Sequence, residues 1–160
     1  ESRKYKIDPA KVQAVKVSGY KRIFNQETLL AAKMVKERAV LNVVESSDSW
    51  MNGILITGVT GKYVEEIDRR ESGYYRLAVD VSSISPYQGV ILGIDLEIFM
   101  YTGRSAYQSS SILPKREYLM LCLEGARQWG KKFYEDFINS TFVNPDILLR
   151  EYLESVSFSV

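Results

Sequence analysis

The chain of 160 residues contains no histidine. That removes Ser-His and Cys-His nucleophile systems and the usual zinc sites together. There is one cysteine, Cys122, so no disulfide can close within these residues. This fits a reducing compartment, and the expected location is cytoplasmic. No apolar run approaches the roughly 20 residues that a membrane helix needs. The formal charge of +1 offers neither a basic excess for nucleic acid nor an acidic tail. P-loop and Gly-rich dinucleotide signatures are missing, and Asp48, Asp68 and Asp80 are too scattered for a magnesium cluster. What is left for chemistry is carboxylates, hydroxyls and backbone amides. No cofactor, metal, nucleic acid or membrane partner is expected.

What is present describes an ordinary globular domain. Hydrophobic residues make up 46% and charged residues 26%, and 160 residues suffice to bury a substantial core. No repeat or linker interrupts the chain, so a single domain over residues 1–160 is expected. Residues 1–10 read as a loop or short turn. Lys11 to Phe24 reads as a strand broken near Gly19, and Gln26 to Arg38 as a helix by propensity. Ala39 to Val44 and Trp50 to Val59 read as strands flanking a polar turn, Glu45 to Ser49. Further on come a long strand from Val90 to Tyr101, a Ser-rich loop from Thr102 to Leu113, and a helix from Lys115 to Trp129. That helix should turn Tyr118, Leu119, Cys122 and Ala126 inward, where Cys122 serves packing. Gly130 should end it, Lys131 to Phe142 should form another, and Asn144-Pro145-Asp146 should start the last.

The stretch from Lys62 to Asp80 carries the chemistry. Thr60 is placed to cap a helix whose apolar stripe runs Val64, Ile67, and then Glu71. The stripe therefore puts a carboxylate on the inward face at the last turn. Ser72-Gly73 ends the helix, with Gly73 suited to a left-handed cap, and a strand from Tyr74 to Val81 follows. A carboxylate buried without a cation resists ionisation and can serve as a general base and acid near neutral pH. Pairing of Glu71 with Arg69, Arg70 or Arg76, or exposure to water, is the other reading of the same pattern.

The segment Gly53-Ile54-Leu55-Ile56-Thr57-Gly58-Val59, followed by Ile67-Asp68-Arg69-Arg70-Glu71-Ser72-Gly73-Tyr74-Tyr75-Arg76, resembles the γ-glutamylcyclotransferase family. There a strand of type GxLxxV, a short helix and a motif LDxxEGxxYxRxxV follow in this order. Phe99-Met100-Tyr101-Thr102 resembles a later strand of the family. Pro114 to Glu124, with Tyr118 and Cys122-Leu123-Glu124-Gly125-Ala126, resembles its P…Y…GA helix. The resemblance covers most of Val12 to Ile138. It implies an α+β domain with a small mixed β-barrel of about five to seven strands and helices packed outside. It also implies that Glu71 is catalytic and that Tyr74, Tyr75, Tyr101 and Tyr118 bind substrate. The family's YGSL or YGSN loop, whose amides hold the glutamyl end, has no counterpart in the sequence. The resemblance implies that this loop and its strand lie upstream of residue 1. On that alignment the chain alone should expose a sheet edge and aggregate, or need the segment supplied by another piece.

The reaction implied forms 5-oxoproline from a γ-glutamyl amino acid or γ-glutamylamine, as in glutathione metabolism, a transferase or lyase chemistry that needs no cofactor. The alternative of another class is a catalytically silent binding module of the same fold. A third is a structural barrel in which Glu71 is merely salt-bridged. The Thr102 to Leu113 loop is the expected wall that selects the leaving amine. Oligomeric state cannot be read from the residues.

Overall fold

A computed structural model describes residues 11–28, 35–91 and 97–156. In chain order, β1 is Val12–Glu27, β2 Glu37–Ile56, α1 Gly61–Arg70 and β3 Tyr74–Ala78. Then come β4 Ile84–Pro86, β5 Phe99–Gly103, β6 Leu113–Pro114 and α2 Arg116–Arg127. The chain closes with α3 Lys131–Ser140, β7 Thr141–Val143, β8 Ile147–Leu148 and α4 Leu149–Ser155.

The fold is built on the antiparallel pair of β1 and β2, in register from Val12↔Ile56 to Glu27↔Ala39. The pairing breaks twice, near the middle and again at Asn25, which is extra on β1 between Phe24↔Leu41 and Gln26↔Val40. Ser18 faces Trp50 but Tyr20 faces Glu45, so Ser46 to Ser49 bulge out opposite Gly19 alone. Gly19 takes φ +84°, a conformation in which a Cβ is disfavoured. The polar run expected as a turn is therefore a bulge inside one continuous strand, closed by a 2.7 Å bond between the Ser46 and Ser49 hydroxyls.

The helix expected over Gln26 to Arg38 is overridden at both ends. Gln26 and Glu27 finish β1, and Glu37 and Arg38 begin β2. Arg38 reaches across to Glu27 at 2.7 Å, a tie that holds both segments extended against their helical propensity. Residues 29–34 lie outside the described set, as do residues 1–10 and residues 92–96 of the expected long strand.

Shorter strands extend the sheet on both sides. β4 runs antiparallel and β7 parallel to β1, β8 pairs with β7, and β6 runs parallel to β2. β3 and β5 pair only with each other, so the described ladders form a six-stranded mixed sheet and a two-stranded ribbon rather than one ring. Side chains join the two. Asn42 Oδ1 accepts from the Gly103 amide at 2.6 Å, and the Thr102 hydroxyl donates to Val43 O at 2.5 Å. The whole is a mixed α+β domain.

Two apolar clusters result. Phe24, Ile112, Leu119, Leu123, Phe137, Val143 and Leu149 are buried where α2, α3 and α4 cover the sheet. Val15, Val17, Met51, Val79 and Ile98 form the other cluster. Asn144-Pro145-Asp146 does not start a helix. Asn144 adopts φ +57° and turns β7 into β8, and α4 begins only at Leu149, where Glu151 accepts from the Leu148 amide at 3.1 Å.

Candidate functional site

Helix α1 begins as its sequence demands. The Thr60 hydroxyl accepts from the Tyr63 amide at 3.4 Å, and Val64 N–H donates to Thr60 O at 3.0 Å. The last turn closes with Glu71 N–H on Ile67 O, and Glu71 itself takes a non-helical φ of −89° and ψ of 41°. Gly73 is not left-handed, contrary to its expected capping role. The turn into β3 is instead closed by Tyr74 N–H on Glu71 O at 2.8 Å. Gly73 O accepts from the Arg104 amide at 3.0 Å and from Gln26 Nε2 at 3.2 Å. Tertiary hydrogen bonds, rather than glycine's conformational freedom, turn the chain here.

Glu71 is delivered to the α1–β3 junction as the spacing of Val64 and Ile67 requires, but it is not sealed from water. Its side chain is 29% exposed and its Oε1 lies 3.2 Å from Arg70 Nε. Two tyrosines sense its charge. Burial, and then the charge of Glu71, push the Tyr74 hydroxyl up to about 12. The Tyr101 hydroxyl is also pushed up to about 12, by burial first and then by Asp68, with Glu71 adding a smaller push. Tyr118 is raised too, chiefly by burial, and it senses Tyr74. All three remain protonated at neutral pH. Their hydrogen bonds are committed to the protein: Tyr74 donates to Leu41 O at 2.9 Å, and Tyr101 to Asp68 at 2.5 Å. Asp68 in turn pairs with Arg76 at 3.2 Å. The Tyr118 hydroxyl accepts from Leu41 N–H at 3.5 Å.

Tyr74 and Tyr101 thus share one face of the ribbon and sense the charge of Glu71, and Tyr118, on α2, senses Tyr74. Tyr75 is not among them. It faces Thr102 on the ribbon's other surface and is half exposed. There it lines a cleft of about 260 Å³ with Glu45, Leu77, Ser105 and Gln108. A larger cleft, of about 580 Å³, lies between the start of β1, Tyr87, Trp129 and the first turn of α3. Glu71 lines neither cleft.

The sequence reading missed the amides that set this geometry. Gln26 and Asn42 are fully buried, and both grip the ribbon next to the Glu71 turn. Asn42 had one legible sign, a polar residue in an otherwise apolar strand, whereas Gln26 lies in the polar run Asn25-Gln26-Glu27 and had none. Among the described residues no three His, Cys, Asp or Glu side chains come together as metal ligands would. No helix there is long and apolar enough to cross a membrane.

No family model and no curated protein matches the chain. Among solved structures it is similar to the solution structure of At5g39720.1 from Arabidopsis thaliana. The two share 18% identity over 78% of this chain and 74% of that one, with a TM-score of 0.44. Similarity at that level says nothing about activity.

Proposed function

We propose that this chain carries a γ-glutamylcyclotransferase-type site on a barrel-like frame, with Glu71 as its proton-transfer group. The observation that carries the reading is Glu71 at the α1–β3 junction, with Tyr74 and Tyr101 close enough to sense its charge. The substrate would be a γ-glutamyl amino acid or γ-glutamylamine. Its α-amine attacks its own γ-carbonyl, a C–N bond closes the five-membered ring, and the amide C–N bond breaks to release the amine. Glu71 takes the proton from the attacking ammonium and returns it to the departing nitrogen. Folding the flexible glutamyl chain into that pose supplies much of the acceleration. Tyr74, Tyr101 and Tyr118 act as walls, because their hydroxyls already serve protein partners.

A second reading has an observation of its own. The cleft beside Tyr75 and Glu45 excludes Glu71, and the Glu71 carboxylate is occupied by Arg70. Both suit a catalytically silent module that binds a small molecule against the ribbon.

The deciding experiment measures 5-oxoproline release from γ-glutamyl dipeptides, γ-glutamylamines and glutathione by the full-length gene product. Glu71→Gln, shown by circular dichroism to be folded, should lose on the order of 100-fold or more in kcat. No release from any substrate by the folded wild-type protein would sink the enzyme reading in favour of the binding module.

A further inference from the structure

We infer that Gln26 is a positioning residue for Glu71, holding the α1–β3 turn at its depth through the carbonyl of Gly73; this rests on the reading of Glu71 given above. Gln26 belongs to β1, far from the turn in sequence, and none of its surface reaches solvent. The hydrogen bond its amide makes among the described residues runs from Nε2 to Gly73 O, at 3.2 Å. Gly73 lies two residues beyond Glu71, and Tyr74 N–H closes the same turn on Glu71 O. Displacing Gly73 therefore displaces the carboxylate.

The other end of the amide shows that its orientation is forced. Gln26 Oε1 is buried and has no hydrogen-bond partner among the described residues. Buried oxygens without a donor are rare and ask for a reason. Here the reason is geometric. Gly73 O can only accept, so Nε2 must face it, and Oε1 is then driven against Gly103, the β5 residue paired with Tyr74. A Cβ at Gly103 would stand 2.0 Å from Oε1 and 2.6 Å from Cδ of Gln26. The same Cβ would stand 2.9 Å from Asn42 Oδ1. Gly103 is itself gripped at both backbone atoms, its N–H by Asn42 and its carbonyl by Gln108 Nε2 at 2.9 Å. A glycine is required at 103 so that the amide of Gln26 can stand there, and the amide stands there to reach Gly73.

A residue that merely fills the core would be replaceable by Leu or Met of similar volume, with no effect at Glu71. The test uses Gln26→Leu and Gln26→Met in the full-length gene product, with Gln13→Ala, which removes bonds to Gln88 O and Val90 O elsewhere, as control. Both Gln26 variants should keep the unfolding midpoint within error. Amide exchange at Gly73 and Tyr74 should quicken at least about tenfold, and the carboxyl titration of Glu71, followed by NMR, should move. 5-oxoproline release should fall about 10- to 100-fold in kcat with little change in KM, the signature of a misplaced group rather than lost binding. Gly103→Ala should reproduce these changes by pushing the amide away, and should do less harm when combined with Gln26→Ala.

Unchanged exchange and titration in folded Gln26→Leu would overturn the inference. If both observables move while the wild-type protein releases no 5-oxoproline, the positioning role stands and the cyclotransferase reading falls. Loss of the fold in Gln26→Leu shifts the decision to Gly103→Ala and Gln26→Met, read by the same two signals.

Discussion

Arg22 is a cation inside the sheet, and what it touches is neutral. Its guanidinium donates to Thr141 Oγ1 and Asn52 Oδ1, each at 2.8 Å, and to the Asn52 carbonyl, and it stacks on Phe137 at 4.0 Å. Burial pushes its pKa down to about 9. Asn52 is the hinge of this arrangement, since its Nδ2 also donates to Phe133 O at 2.8 Å. Asn52→Ala leaves a buried cation short of an acceptor and should cost about 2–4 kcal/mol, read from the urea midpoint. Tyr74 gives a pH signature of opposite sign. Its folded pKa, near 12, lies above the ordinary 10, so the unfolded chain releases the proton first. The stability it lends is complete below pH 10 and drains as pH rises toward 12. The stability difference between wild type and Tyr74→Phe should therefore shrink across that window. Arg22 works the other way there, because its proton leaves the folded state first.

At the scale of elements, the local signals that proved readable were those that act within one turn. Thr60 before Val64 and Ile67 announces α1 because a cap and an apolar stripe are local physics. The failures share one cause, partners distant in sequence. Gln26 to Arg38 has helical propensity, but β1 and β2 take its ends because Arg38 meets Glu27 across the ladder. Asn-Pro-Asp has the composition of a helix start and of a turn, and only the pairing of Phe142 with Leu148 decides between them. The place of Glu71 at the end of α1 was legible, whereas the roles of Gln26 and Asn42, which seat its turn, were not. At Gly19 nothing lies within 4 Å of an added Cβ, so Gly19→Ala should cost only the backbone term, about 1–2 kcal/mol. Leu123, fully buried in α2, should cost about 2–5 kcal/mol as Leu123→Ala. Chemical denaturation checks both.

Across the whole molecule, the ribbon of β3 and β5 is held to the main sheet by side chains where a strand would use a ladder. The ties come from Gln26, Asn42, Tyr74 and Thr102. A two-stranded ribbon has little stability of its own. It should therefore open before the rest, with amides of Tyr75 to Leu77 exchanging faster than those of Val15 and Ile23 under native conditions. Glu71 leads from α1 into that ribbon, so the group proposed to move protons sits where a helix joins the yielding part of the fold.

The bulge opposite Gly19 also governs how large the molecule can be. A straight strand of β2's 20 residues would span about 66 Å, whereas a compact chain of this length measures only about 40 Å across. The pair can fit only by bending, and Ser46 to Ser49 let the larger slack into β2, with a single extra residue, Asn25, on β1 further along. Deleting that slack would leave a plank wider than the body it has to wrap, with helices on one side unable to meet the ribbon on the other.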